Sequence, residues 1–180
     1  MSTSGSHWDD FRTLVKLIMD NNEVKVINCK NNLGGYEDVP IEKISFRPSA
    51  YGFVYDEGKI VTLTNKSNGK IWFPGGGINL GEKIEDGLKR EILEEAGIEV
   101  FVEKMVLVRE NFFYYKPLDE GYHAFLFFYL CKPVDKELIA DKLVDDVESE
   151  KPRWTKISEI KKEDISDLSE SVYAVLNNLD

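Results

Sequence analysis

Three consecutive glycines, Gly75 to Gly77, stand directly before a glutamate-rich stretch that ends at a further glycine, Gly97. Glycine tolerates backbone conformations and close approaches that a Cβ atom forbids, so such a run beside a helix start suits a loop that touches a phosphate or a metal ion. Many glycine-rich loops are only turns, and the run alone leaves both interpretations open. The residues that follow favour the ligand-binding interpretation.

The stretch Ile84–Ala96 has the periodicity of an amphipathic helix. Apolar residues recur every four positions and define one face: Ile84, Leu88, Ile92 and Ala96. Gly97 comes next, and its access to positive φ is typical of a helix C-terminus. The sequence therefore predicts a helix over these residues with one face against the core.

Three glutamates on this helix carry the chemical argument. Each residue turns the side-chain direction by about 100°, so Glu91 and Glu95 border the apolar face and Glu94 lies just outside Glu91. Ionised carboxylates beside a core need compensation by a cation or by a strong hydrogen-bond network. Since oxygen ligands favour Mg²⁺ or Mn²⁺ over zinc, we expect one of these ions at the three carboxylates.

A surface charge ladder is the alternative, because Asp86, Arg90 and Glu94 also recur at four-residue spacing. Glu94 alone does not exclude it. The planar guanidinium of Arg90 is able to hold a carboxylate with two hydrogen bonds, so we expect Arg90 to orient acidic partners rather than to react.

Composition and charge limit the partners. The formal net charge of -10 argues against duplex nucleic acid, which proteins bind mainly through Lys and Arg. A small phosphorylated substrate stays compatible, because a bound cation reverses the local field. The apolar run 124–131 is too short to span a bilayer, and Cys29 and Cys131 do not form a disulfide framework. We expect one soluble, cytoplasmic protein that acts on a small ligand.

The remaining pattern interleaves strands with helices and predicts an α/β fold, a mixed sheet with helices on both faces. We expect helices at residues 8–20, 157–162 and 166–179, a turn at 31–35, and a glycine-containing loop at 74–81. The predicted strands are residues 23–29, an extended segment at 41–46, a hairpin of 51–55 and 59–64, and two long strands at 99–108 and 122–131.

At this point the chain resembles the Nudix hydrolase family, because it matches every fixed position of the Nudix box, G-x5-E-x7-R-E-U-x-E-E-x-G-U, where U is a bulky aliphatic residue. The matching residues are Gly76, Glu82, Arg90, Glu91, Ile92, Glu94, Glu95, Gly97 and Ile98. So many fixed positions at fixed spacing make a chance match very improbable.

The resemblance implies an α/β/α sandwich and metal-dependent hydrolysis of a phosphoanhydride bond in a nucleoside diphosphate or polyphosphate derivative. Glu91, Glu94 and Glu95 would then bind Mg²⁺ or Mn²⁺ or activate water, and the Gly75 carbonyl would be a further ligand. Arg90 and Glu82 would organise the loop and the helix. Because the family has no universal base, Glu94, Glu95 and a later acid such as Glu148 all stay open for that role.

Substrate contacts are less determined by the sequence. Arg47 is a candidate for a phosphate contact and Phe73 for stacking on a base, although solvation and core packing explain them equally. Tyr114 and Tyr115 lie sixteen to eighteen positions after the box, where a tyrosine resembles the marker of dinucleoside polyphosphate hydrolases. The corresponding markers of ADP-ribose and coenzyme A hydrolases are absent. Dinucleoside polyphosphates are therefore the first substrates that we expect.

Residues 1–45 fall outside the resemblance, and we interpret them as an N-terminal extension before a hydrolase domain at 46–180. Their apolar positions suit packing or a homodimer interface. A catalytically inactive nucleotide-binding or regulatory protein of the same fold is the alternative function, which the complete set of carboxylates disfavours.

Overall fold

The computed structural model describes residues 25–31, 34–66, 68–139 and 149–179. The helix predicted at 8–20 and the acid Glu148 lie outside these residues. Nine strands form one sheet in the described part: β1 (Val26–Asn31), β2 (Tyr36–Pro40), β3 (Ile44–Asp56), β4 (Lys59–Asn65), β5 (Ile71–Trp72), β6 (Gly75–Gly77), β7 (Val100–Tyr115), β8 (Glu120–Pro133) and β9 (Ser149–Lys156). Within the same described residues two α-helices accompany the strands, α1 (Ile84–Ala96) and α2 (Ser169–Leu176).

The sheet has the strand order β2-β1-β7-β8-β3-β4-β5, with β6 on β3 and β9 on β4. Strands β3 and β8 run parallel over eleven registered pairs, and β1 is parallel to β7, while the other pairs are antiparallel. The predicted mixed sheet is therefore confirmed. Strands β1 and β2 continue this same sheet at one edge.

The two helices cover opposite faces of the sheet. Alternate residues of a strand point to opposite sides, and on β3 the neighbours Phe53 and Val54 belong to different core clusters. Val54 packs with Leu88 and Ile92 of α1, whereas Phe53 packs with Val172 and Leu176 of α2. This arrangement is the predicted α/β/α sandwich, and we call the two sides the α1 face and the α2 face.

Helix α1 has the predicted bounds. No side chain caps its start at Lys83, and it ends where Gly97, at φ 75°, donates its N–H to Leu93 O at 2.9 Å. A Cβ on Gly97 would lie 2.6 Å from the Ile139 Cβ, so both the conformation and the packing require glycine.

Several other predictions are confirmed. Asn31 and Gly35 close the predicted turn with a 2.8 Å backbone hydrogen bond, and β3 and β4 form the predicted hairpin around Glu57 and Gly58. The predicted strands at 99–108 and 122–131 are present but extend further, to Tyr115 and Pro133. None of the helices in the described part is both long and apolar enough to cross a membrane.

Four elements differ from the sequence prediction. Residues 41–43 form a short 3-10 turn before β3 rather than extended chain. The loop predicted at 74–81 begins with a strand, because Gly75–Gly77 pair with β3. The helix predicted at 157–162 is wrong: this region holds only the 3-10 turns Ile157–Glu159 and Lys162–Asp164, since Ile157, Ile160 and Ile165 all reach the core. Strand β9 was not predicted.

Candidate active site

The glycine strand β6 lies antiparallel to β3, with Gly75 opposite Tyr51 and Gly77 opposite Ser49. Gly75 has φ 139°, and a Cβ there would lie 2.1 Å from the Ala50 carbonyl oxygen. Only glycine fits this contact, because the obstacle is backbone that cannot move aside. The strand therefore presents its peptide groups, without side chains, next to α1.

Glu91 lies directly against this bare backbone. A Cβ on Gly76 would be 2.7 Å from Glu91 Oε2 and 2.8 Å from its carboxyl carbon. The Glu91 carboxylate therefore occupies the space that a side chain at Gly76 would need. The helix-wheel prediction that Glu91 borders the core face is consistent with this half-buried position.

Among the described residues, Glu95 is the single charged residue that is buried, at 7% exposure. Its Oε2 accepts a hydrogen bond of 2.7 Å from the Gly75 N–H. A buried carboxylate requires such compensation, and a backbone donor supplies part of it. Helix α1 and strand β6 are thus connected through an acid that the helix wheel places at the core.

Arg90 organises the remaining acids through five hydrogen bonds. Its Nε and Nη2 each donate to Glu82 at 2.9 Å, Nη1 donates to Glu91 at 2.8 Å and to Glu94 at 3.2 Å, and Nη2 reaches the Gly77 carbonyl at 3.2 Å. The two bonds to Glu82 are the two-point contact with a carboxylate that we expect of arginine. Glu94, the most exposed of the three partners, also forms part of the predicted charge ladder.

Glu82 fixes the loop between β6 and α1. Its Oε2 also accepts the Asn79 N–H at 2.9 Å. The hydrogen bonds from Arg90, followed by that from Asn79, lower the pKa of Glu82 to about 2. The same contacts with Glu82 raise the pKa of Arg90, so both groups stay charged across the neutral range.

Within residues 25–31, 34–66, 68–139 and 149–179, no group of three or more His, Cys, Asp or Glu side chains is arranged to hold a metal ion. In this arrangement the guanidinium of Arg90 bridges Glu91 and Glu94, while Glu95 accepts the Gly75 N–H. The donors nevertheless fit Mg²⁺ or Mn²⁺ in kind. They are carboxylate oxygens beside a glycine backbone that a Cβ would obstruct.

Arg47 reaches the glycine strand from the opposite side. A Cβ on Gly77 would lie 3.3 Å from Arg47 Nη2, and the Arg47 guanidinium carbon is 5.1 Å from the centre of the Tyr122 ring. Among the described residues, Arg47 forms no ion pair within 4.0 Å. It therefore brings an exposed positive charge to the glycine strand, which Glu91 of α1 contacts from the other side.

Phe73 is not available to a ligand. Its side chain is completely buried, and its ring packs edge-on against Phe53 with centroids 4.8 Å apart. The sequence interpretation as a stacking surface is corrected accordingly, because core packing uses the whole ring.

Tyr114 and Tyr115 lie at the far end of β7. Tyr114 is registered with Gly121, which pairs with Ile44, whereas Gly77 pairs with Ser49. Tyr114 and Gly77 are therefore separated by three strand spacings across the sheet and five residues along it, which is roughly 20 Å in a regular sheet. The Tyr114 hydroxyl donates to Asp119 at 2.6 Å, which raises the pKa of Tyr114 to about 12.

Comparisons with known proteins agree with this geometry. A family model described as the NUDIX domain matches residues 45–176. A MutT-like protein from Streptomyces ambofaciens is 30% identical over 122 residues, which are 68% of this chain and 68% of that protein.

Solved structures share the fold. A NUDIX hydrolase from Nitrosomonas europaea superposes with a TM-score of 0.58 at 16% identity, over 88% of this chain and 89% of its own. An ADP-ribose pyrophosphatase from Streptococcus suis superposes with a TM-score of 0.55 at 16% identity, over 74% of this chain and 91% of its own.

Proposed function

The chain belongs to the NUDIX domain family and is a hydrolase of that family, and on this premise we propose that it cleaves a phosphoanhydride bond in a nucleoside diphosphate or polyphosphate derivative with the help of Mg²⁺ or Mn²⁺. The observation that carries the proposal is the convergence of Glu82, Glu91 and Glu94 on Arg90, beside a glycine strand that Glu95 also contacts.

We propose a role for each of these residues. Glu91, Glu94 and Glu95 would hold the metal ion together with the Gly75 carbonyl. A bound divalent cation supplies charge neutralisation for the phosphates and lowers the pKa of water. Arg90 and Glu82 hold the carboxylates and the loop in place, and Arg90 is a positioning residue because its donors are already used by protein acceptors.

The reaction moves one water and one proton. A water oxygen attacks phosphorus, the bond from phosphorus to the bridging oxygen breaks with its electron pair, and a carboxylate accepts the water proton. Glu94 and Glu95 are the described candidates for that carboxylate, and Glu148 stays a third. Arg47, next to Gly77, would bind a substrate phosphate, because an arginine fork matches phosphate oxygens.

For the substrate we propose dinucleoside polyphosphates first, then nucleoside triphosphates and nucleotide sugars. A nucleoside at the far end of a long substrate would meet either Tyr114 or Tyr115, which are half-buried at the end of β7 and, as neighbours on one strand, point to opposite faces of the sheet. The experiment is a panel of these compounds assayed for phosphate and nucleotide release with Mg²⁺, with Mn²⁺ and with a chelator. Metal-dependent turnover of at least one compound is expected, and no turnover across the panel would refute the proposal.

We further propose that residues 1–45 form an extension that joins two copies into a homodimer, and that residues 46–180 form the hydrolase domain. The support is the outer edge of the sheet, where Val26 and Tyr36 are exposed at 48% and 66%. A monomeric mass in light scattering at micromolar concentration would exclude the dimer.

We also propose a reducing compartment such as the cytoplasm, since the two cysteines, Cys29 and Cys131, are buried free thiols. Localisation of a tagged protein in its own cells tests this.

A further inference from the structure

Asn111 lies in the second half of β7, on the α2 face of the sheet. Its neighbour two positions earlier, Arg109, donates a hydrogen bond to Ser171 of α2, and Asn111 itself donates to Asp167, two residues before that helix. Both contacts place the Asn111 side chain on the side that α2 covers. No feature of the sequence singles this residue out.

The orientation of the Asn111 amide is fixed by its surroundings. Asp167 Oδ2 lies 3.3 Å from Asn111 Nδ2, and Lys30 Nζ contacts the other oxygen of Asp167 at 2.8 Å. An ionised carboxylate only accepts hydrogen bonds, so the nitrogen of the amide has to face Asp167. The oxygen is consequently turned away from Asp167.

This oxygen is the one that lacks a partner. In the part of the chain that the structure describes, Asn111 Oδ1 is the single buried side-chain oxygen or nitrogen without a hydrogen bond. Burial of an unsatisfied acceptor costs free energy, and an amide whose nitrogen is held by Asp167 has no flip that relieves this cost. A donor from a bound water molecule or from a ligand would relieve it.

Asn111 shares a row of the sheet with Arg47. Both residues are registered with Ala124 of β8, which lies between them and belongs to the core cluster of the α2 face. Two strand spacings separate Asn111 from Arg47, or roughly 10 Å. Ala124 is itself buried, at 7% exposure, and its side chain occupies less space than those of Tyr122 and Leu126 on the same face of β8.

The two ends of the row have complementary chemistry. At one end Arg47 brings a guanidinium to the glycine strand, and at the other end Asn111 and Asp167 bring acceptors. A nucleotide has the matching polarity, with anionic phosphates at one end and hydrogen-bond donors on the edge of many bases at the other.

We propose that Asn111 is a specificity-determining residue, which accepts through Oδ1 a hydrogen bond from an exocyclic amino group of the substrate base, while Arg47 binds a phosphate of the same nucleotide. The assignment rests on the proposed function for the position of the phosphates. A base edge that carries only a carbonyl at the same position is disfavoured, because its oxygen would face the acceptors of Asn111 and Asp167. Adenine and cytosine are therefore preferred over hypoxanthine and uracil.

A binding measurement tests the proposal without turnover. The probes are the 5′-(α,β-methylene)diphosphates of adenosine, inosine, cytidine and uridine, whose P–C–P bridge resists hydrolysis, titrated calorimetrically into the wild-type chain with Mg²⁺. We expect the amino-bearing member of each matched pair to bind about tenfold more tightly, the value of one net hydrogen bond. Equal dissociation constants within both pairs would overturn the proposal.

Variants provide the second measurement. Asn111→Leu is expected to abolish the discrimination within each pair, and to raise KM about tenfold for a nucleoside substrate while leaving kcat within about twofold. It should leave KM unchanged for 5-phosphoribosyl 1-pyrophosphate, which has a diphosphate and no base. Equal changes for both substrates would show a merely structural role and overturn the proposal.

Asn28→Leu is the matched control. Asn28 also donates from Nδ2 to an aspartate, Asp38, at 2.8 Å, but it lies on the β1–β2 edge of the sheet. This substitution should alter neither KM nor base preference. If the wild-type chain hydrolyses nothing, the proposed function fails, whereas the binding preference and its loss in Asn111→Leu still decide this inference independently.

Discussion

Arg90 and Glu82 are joined by two hydrogen bonds of 2.9 Å each, from Nε to Oε1 and from Nη2 to Oε2. This contact ties the loop after the glycine strand to the middle of α1. Glu82 also accepts the Asn79 N–H, so one carboxylate holds the loop backbone and the arginine that orients Glu91 and Glu94. The geometry of the proposed metal site depends on this pair.

Arg90→Lys tests that dependence. A lysine ammonium keeps the charge but cannot make the two-point contact with Glu82 and reach Glu91, Glu94 and Gly77 as well. We expect kcat/KM to fall about 10- to 100-fold, the usual effect of losing a group that orients metal ligands. Arg109→Lys, on β7 away from the glycine strand, is the control. Equal kinetics of the wild type and Arg90→Lys would contradict the orienting role.

Glu82→Gln should change how stability depends on pH. The folded pKa of Glu82 is about 2 against an ordinary value of 4.5, so the carboxylate stabilises the fold fully above pH 4.5. That contribution is lost as the pH falls from 4.5 towards 2. The difference in free energy of unfolding between wild type and variant, measured in urea at pH 7 and pH 3, should be larger at pH 7. A difference that is independent of pH would show that the pairing with Arg90 does not stabilise the charge.

Two neighbouring glycines offer a matched comparison. A methyl group at Gly76 meets the Glu91 carboxylate at 2.7 Å, whereas one at Gly77 meets only the flexible end of Arg47 at 3.3 Å. Gly76→Ala should therefore displace Glu91 and lower kcat by about tenfold or more, in the range of misplaced catalytic groups. Gly77→Ala should keep kcat and change KM only slightly. The reverse order of effects would contradict the placement of Glu91.

Substrates of different length test whether the aromatic end of β7 contacts a nucleoside. If Tyr114 or Tyr115 stacks on a distal nucleoside, one of the two variants Tyr114→Ala and Tyr115→Ala should lower kcat/KM for a dinucleoside polyphosphate by roughly 5- to 100-fold, the value of one base stack. Turnover of a nucleoside triphosphate should be unchanged, because these residues lie roughly 20 Å from Gly77. Tyr114→Phe, which keeps the ring and removes only the bond to Asp119, is the control. Equal losses on both substrates would exclude the stacking role.

The sequence predicted α1 with the correct bounds because local signals agree there. The apolar period of four and the stop at Gly97 both act within one helix, and the wheel also placed Glu91 and Glu95 at the core boundary. Strand β6 was missed because three glycines have no side chains to alternate. Strand β9 was missed because Pro152 and several charges interrupt its alternation.

The contacts of the site depend on distant parts of the chain, which no periodicity reveals. Asn111 becomes notable only because β7 brings it to Asp167, 56 positions away. Phe73 and Tyr114 show a second limit of the sequence. An aromatic residue near the Nudix box is equally suited to core packing and to stacking on a base, and its surroundings in the fold are needed to distinguish the two roles. Arg90 was expected to orient acids, yet its simultaneous contact with three of them required the structure.

The central claim is that Glu91 and Glu95 hold the metal ion on which phosphoanhydride hydrolysis depends. The direct measurement is kcat with Mg²⁺ for Glu91→Gln, Glu95→Gln and the control Glu99→Gln, an exposed residue beyond the helix, on the best substrate of the panel. We predict a loss of at least about 100-fold for the first two, with unfolding curves that show an intact fold, and wild-type turnover for Glu99→Gln. Near-wild-type turnover of Glu91→Gln and Glu95→Gln at limiting Mg²⁺ would contradict the account.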